Sequence, residues 1–173
     1  PADAKGLLKA AIRSEDPVLF IEHATLYQTR GEVPEGEYIV PIGKSTVQRP
    51  GKDVTIVTYS KMLELSLKAA DELAKEGIEA EIVDLRSLRP LDMGPVIESF
   101  KKTNRAVVVE EGWPSYGVGA EVATRIYEQA FDYADAPVKR VAQKEVPLPY
   151  NRTLEQMALP HVEDIVAAVK EVL

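Results

Sequence analysis

The stretch Val107-Val-Val-Glu-Glu-Gly-Trp-Pro-Ser-Tyr-Gly-Val-Gly-Ala-Glu121 constrains the fold more than any other part of the chain. Ala106–Glu110 is a short, almost wholly apolar run, as in a strand covered on both faces. A turn rich in Gly and Pro follows and carries the only tryptophan, Trp113. A helical pattern then starts near Gly117–Gly119. A strand that feeds a helix through glycines is the unit of a parallel α/β sheet, and such turns lie where these sheets take ligands.

The same alternation extends along the chain. Asp3 is placed to cap a helix over Ala4–Arg13, which Ser14-Glu-Asp-Pro17 ends. Val18–Ile21 reads as a buried strand. Residues 24–37 have no periodicity and read as a linker. Residues 1–23 are thus expected to be the tail of a preceding domain, and residues 38–173 one α/β domain. Within it, Tyr38–Ile42 and Ser45–Gln48 read as an entry strand. Val54–Tyr59, Ala80–Leu85, Ala106–Glu110 and Val138–Ala142 read as further strands. Helices are expected over Lys61–Glu76 with Ser60 as cap, Leu91–Lys102 with Asp92 in its first turn, Gly119–Tyr133, and His161–Val172. The fold class is α/β: a three-layer α/β/α sandwich around a mostly parallel five-stranded sheet. The entry strand arrives from a linker rather than a crossover helix, so it is expected to be an antiparallel edge strand.

Composition narrows the function. The chain has 173 residues, 45% hydrophobic and 28% charged, as in ordinary globular domains. A net charge of −7 argues against nucleic acid as the main partner. No apolar run is long enough for a membrane helix. With no cysteine and two histidines, thiolate and His-rich metal sites are excluded. The chain opens Pro1-Ala-Asp without methionine, which suggests a processed or truncated product.

Five places carry possible chemistry. Gly117-Val-Gly119 is half of a dinucleotide fingerprint, but it follows its strand too late and lacks the third glycine. Its alternatives are tight helix–sheet packing, or a helix N-terminus facing an anion in a partner's active site. Arg86-Ser-Leu-Arg89 lies at the carboxyl edge of the sheet and suits a carboxylate or phosphate. Arg86 paired to Asp92 or Glu110 is the structural alternative. His23 beside Glu22 is an acid–base pair or a structural histidine, and His161 reads as a surface residue. The helix end around Ala11, Ile12, Ser14 and Asp16 offers oxygens only, as hard cations prefer and as any helix end also shows. No Ser-His-Asp set and no phosphate-binding loop occurs.

Several runs carry a family resemblance: Asp3-Ala-Lys-Gly-Leu-Leu-Lys-Ala-Ala-Ile-Arg13, Asp16-Pro-Val-Leu-Phe-Ile-Glu22, Val40-Pro-Ile-Gly-Lys44, Asp84-Leu-Arg-Ser-Leu-Arg-Pro-Leu-Asp92, Val109–Glu121, Asp135-Ala-Pro137 and Val146-Pro-Leu-Pro-Tyr150. They span the chain. By them it closely resembles the carboxyl-terminal half of the beta subunits of thiamin-diphosphate-dependent 2-oxo acid dehydrogenases. The glycine-tryptophan run is more like the pyruvate dehydrogenase type than the branched-chain type; acetoin dehydrogenases are also related. The resemblance implies a transketolase C-terminal-type domain in the cytoplasm or an organellar matrix. It implies a heterotetramer with an alpha subunit and a second beta subunit, the diphosphate and its magnesium being held by the alpha subunit. The cofactor-activating glutamate and the catalytic histidine would lie upstream, so no catalytic or cofactor-binding residue is expected here. A potassium site is implied at Ala11, Ile12, Ser14 and Asp16, where Ser14 and Asp16 replace the usual Asp and Asn. Docking of the peripheral-subunit-binding domain of the dihydrolipoyl acyltransferase is implied at Asp135 and Leu173. The rivals are a non-catalytic interaction module of the same fold and a small-anion-binding domain using Arg86 and Arg89.

Overall fold

The computed structural model describes residues 1–173. Its sheet has five strands: β1 (Thr46–Arg49), β2 (Val54–Thr58), β3 (Ala80–Asp84), β4 (Ala106–Val109) and β5 (Lys139–Val141). Their order across the sheet is β1-β3-β2-β4-β5. β1 runs antiparallel to β3, with a bulge between Val47 and Arg49, and the remaining pairs are parallel. The expected mostly parallel sheet with one antiparallel edge strand is therefore present.

Helices cover both faces because the central strands are apolar on both. On one side α2 (Lys61–Lys75) and α6 (Val162–Val172) bury Leu73, Ile165 and Val169 against Val54, Ile56, Ile82, Val107 and Val109. On the other, α3 (Gly94–Thr103) and α4 (Val118–Ala130) bury Phe100, Val122 and Ile126 against Val57, Val83 and Val108. Burying a side chain of the size of Phe100 or Leu73 is worth roughly 1.5–3 kcal/mol each. One polar cluster interrupts this second face. The Thr55 hydroxyl bonds to Ser99 Oγ at 2.6 Å and to Thr103 Oγ1 at 2.7 Å, so these buried hydroxyls satisfy one another. No helix is long and apolar enough to cross a membrane.

Several local expectations differ from the structure. Val18–Ile21 forms no strand, with Leu19 86% and Ile21 78% exposed. Its apolar run has the composition of a buried strand, but no strand of this sheet lies beside it. Residues 38–42 form no strand; only Thr46–Arg49 of the entry segment pairs. The Ser60 side chain makes no cap bond, and its φ of 53° lies in the left-handed region. Asp92 precedes α3 and accepts the Gly94 N–H at 3.1 Å rather than sitting in the first turn. A short helix α5 (Arg152–Ala158) and a 3-10 turn at Ala24–Gln28 were not expected. Asn151 caps α5, its side-chain oxygen accepting from Thr153 and Leu154 N–H at 3.0 and 3.2 Å.

The first helix, α1 (Ala2–Ile12), lies against the segment that enters the sheet. Asp3 does not cap it. Gly6 is the contact point: a Cβ there would sit 2.5 Å from Val40 Cγ2 and 2.9 Å from the Val40 nitrogen. The Tyr38 hydroxyl donates to the Ala2 carbonyl at 2.8 Å, and Lys5 lies 4.9 Å from the Tyr38 ring centre. Two effects oppose each other in Gly6→Ala. Helix propensity gains about 1 kcal/mol, while overpacking costs about 1–3 kcal/mol. The backbone contact makes the second the larger. Gly6→Ala is expected to speed amide hydrogen exchange in α1 and residues 38–40 and to leave β2 and β3 unchanged. Unchanged or slower exchange in α1 would refute this account of its docking.

Candidate functional site

Doubly wound sheets take ligands where neighbouring strands send their connections in opposite directions. Here that place is the carboxyl edge between β2 and β4. It is already filled. Glu110, the residue after β4, is 1% exposed. Its Oε1 accepts the Gly119 N–H at 3.0 Å, and the Tyr59 hydroxyl donates to its Oε2 at 3.3 Å. The chain's own carboxylate thus lies at the N-terminus of α4, where a ligand's phosphate would otherwise bind. Burial pushes the Tyr59 hydroxyl well above the usual tyrosine range, and the Glu110 carboxylate adds to this.

This carboxylate explains the glycines. A Cβ on Gly119 would stand 2.5 Å from Glu110 Oε1. One on Gly117 would stand 2.6 Å from the same oxygen and 2.4 Å from the Trp113 carbonyl. Gly117 has an ordinary φ of −71°, so its reason is space rather than backbone conformation. The left-handed position of the turn is Tyr116, at φ 60°, whose side chain is fully exposed. Of the readings of the glycine motif, tight helix–sheet packing is the one the geometry carries, with an internal anion as its cause.

Two further ties meet at this edge. Arg86, at φ 54°, clamps Asp3 of α1 with Nε–Oδ2 and Nη2–Oδ1 distances of 2.8 Å. Its partner is therefore neither Asp92 nor Glu110. The Arg86 N–H donates to Asp84 Oδ1 at 3.1 Å, and burial raises the Asp84 carboxyl above its ordinary value. Arg89 is exposed. His23 meets Glu111 rather than Glu22: its Nε2 donates to Glu111 Oε2 at 2.9 Å, while Nδ1 lies 2.9 Å from Thr25 Oγ1. The segment before the sheet is thus tied to the turn that follows β4. The decisive partners stand 83 and 88 residues apart in sequence. No local pattern pairs them.

The remaining expected positions lie elsewhere. At the end of α1 the Ala11 carbonyl accepts the Ser14 N–H, and Ser14 Oγ accepts the Asp16 N–H, both at 3.2 Å. Ile12 is 74% exposed. Asp135 stands 3.3 Å from the Arg105 guanidinium, just before β4. Leu173 lies two residues beyond Glu171, whose carboxylate meets Lys139 at the start of β5 at 2.7 Å. Asp135 and the chain end therefore share the amino edge of β4 and β5. His161 caps α6. Its Nε2 lies 2.5 Å from the Gln156 carbonyl and its ring accepts from the Asp164 N–H.

The comparisons agree with this architecture. The family model described as transketolase, C-terminal domain, matches residues 43–165. The pyruvate dehydrogenase E1 component subunit beta of Rhizobium meliloti (strain 1021) is 53% identical over 172 residues, 99% of this chain and 37% of that protein. The mitochondrial beta-2 subunit of Oryza sativa subsp. japonica is 52% identical, covering 97% of this chain and 46% of its own. The mitochondrial pyruvate dehydrogenase E1 component subunit beta of Drosophila melanogaster is 53% identical, covering 99% of this chain and 48% of its own. The chain spans about half the length of the curated relatives it matches, or less. Among solved structures, a split gene transketolase described as an inactive beta4 tetramer superposes with a TM-score of 0.70 at 34% identity, over 83% of this chain and 45% of that one.

Two predictions follow from the edge. Gly119→Ala is expected to destabilise the fold by about 1–3 kcal/mol, and by clearly less in a Glu110→Ala background. Equal costs in both backgrounds, in a denaturant double-mutant cycle, would refute the clash with Glu110. For Asp84, the folded carboxyl titrates above the unfolded one. Stability therefore falls as pH rises from the unfolded value, ~3.9, to the raised folded one, and stays lowered above it. Asp84→Asn keeps an acceptor for the Arg86 N–H. It is expected to raise the melting temperature at pH 7, with the gain shrinking toward pH 4.

Proposed function

Because the chain belongs to the transketolase, C-terminal domain family, we propose that it is the carboxyl-terminal portion of the beta subunit of a pyruvate dehydrogenase E1 component. The observation that carries this is identity of 52–53% across nearly the whole chain to beta subunits from a bacterium, a plant and an insect. In this reading the whole enzyme decarboxylates pyruvate and reductively acetylates a lipoyl group, in the cytoplasm or an organellar matrix. Thiamin diphosphate supplies the electron sink for that decarboxylation. The residues of this chain do not fit a diphosphate: the α4 N-terminus is taken by Glu110, and Arg86 by Asp3. Their part is to close the carboxyl edge of the sheet and to hold α1 and the following segment against it.

Assembly supplies the other half of the reading. The partners are an alpha subunit, which holds the cofactor and its magnesium, and a second beta subunit. Asp135 and the carboxyl end at Leu173 receive the basic peripheral-subunit-binding domain of the dihydrolipoyl acyltransferase. Their common place on the amino edge, away from the tied carboxyl edge, supports this. The carbonyls of Ala11 and Ile12 with Ser14 and Asp16 are the proposed potassium ligands. An all-oxygen set with one carboxylate fits a hard monovalent ion.

The test is to co-express the protein that carries this chain with an E1 alpha subunit. Pyruvate-dependent reduction of dichlorophenolindophenol is then followed with thiamin diphosphate and magnesium present. Activity is expected in the complex and absent from the chain alone. Turnover by the chain alone, no association with the alpha subunit, or a preference for branched-chain 2-oxo acids would overturn the reading. Asp135→Ala is expected to weaken capture of the peripheral-subunit-binding domain about tenfold, as for a charge paired across an interface.

A further inference from the structure

The carboxyl end of β5 opens onto two adjoining cavities of about 360 and 560 Å³, which share Met157 and His161. Both are open to solvent. Arg140 and Lys144 line the first, and Arg152 lines the second. These cations take part in none of the chain's ion pairs, although most of its other lysines and arginines do. Arg140 spends one donor on the Pro114 carbonyl at 2.6 Å, which fixes its guanidinium and leaves the others free.

Some of the remaining polar groups of the cavities are engaged within the fold. Asp164, the carboxylate lining the first, accepts the His161 N–H at 2.8 Å. The Gln156 carbonyl can only accept, so His161 Nε2 carries the proton, and the other ring nitrogen accepts from Asp164 N–H. A chain of net charge −7 thus sets Arg140 and Lys144 in the first cavity, and Arg152 in the adjoining one, beside apolar walls from Met157, Leu159 and Pro160, with Asp164 the one carboxylate of the lining.

We propose that the first of these cavities binds the phosphate group of a small phosphorylated molecule through Arg140 and Lys144, with Arg152 adding charge from the adjoining cavity. The Arg140 guanidinium offers the planar, bidentate contact, the other two supply charge, and Met157 with Leu159 packs the apolar part of the ligand. The site lies at the outer strand and stands independently of the family assignment.

Calorimetric titration of the purified protein with inorganic phosphate, at ionic strength held constant with chloride, tests it. Saturable binding is expected. In a Lys144→Ala, Arg152→Ala double variant it should weaken about tenfold or more, as for lost charge-assisted hydrogen bonds. Thermal melts of both proteins establish that the variant is folded. If it is not, Lys144→Gln serves, since only the backbone of Lys144 is bonded within the fold, its N–H to the Ala158 carbonyl and its carbonyl by the Val146 N–H. No saturable heat, equal affinity in the folded variant, or succinate bound as tightly as phosphate would overturn the proposal.

Discussion

A single buried carboxylate organises the working edge of this domain. Glu110 leaves water at the end of the central sheet and is held by a backbone N–H and a tyrosine hydroxyl. Taking such a charge out of water costs several kcal/mol, and only donors fixed in place offset that. The sequence around it follows from this need. Two glycines give the oxygens room, α4 begins where its free N–H groups can point inward, and Tyr59 approaches from the neighbouring strand. The site that α/β sheets usually leave for a guest is closed by the chain itself.

The segment before the sheet depends on the same edge. Asp3 on Arg86 and His23 on Glu111 attach α1 and the 3-10 turn to the loops after β3 and β4. Partly exposed pairs of this kind are worth no more than about 1 kcal/mol each. They therefore orient the segment, and the close contact of Gly6 on Val40 supplies more of the holding force. The apolar run Val18–Ile21 stays uncovered between these attachments.

The sheet was legible because its strands are short apolar runs between glycines, prolines and amphipathic helices. All five strands and their one antiparallel pair follow from that alternation. Helix ends were less legible. Asp3 and Ser60 have the chemistry of caps, but Asp3 binds Arg86 and Ser60 has a left-handed backbone, while Asp92 stands before α3 and takes the Gly94 N–H from outside the first turn. Conversely, Asn151 ahead of Arg-Thr-Leu-Glu was a cap signal in plain view, and the proline-rich loop around it concealed α5. Val18–Ile21 shows the limit of pattern reading, since being a strand requires a neighbour that the run itself does not encode. The candidate site was half legible. The glycine turn identified the place, while the role of Glu110 depended on knowing that its side chain turns inward. The pairs Arg86–Asp3 and His23–Glu111 join residues that only the fold brings together.

The two borders of the sheet are built alike. β1 has four residues broken by a bulge and carries Gln48 and Arg49; β5 has three, with exposed Lys139 and Arg140. A further strand laid against either border would find few backbone partners in register, and cationic side chains in its way. The sheet is thus self-terminating. Edge-to-edge growth into aggregates is discouraged.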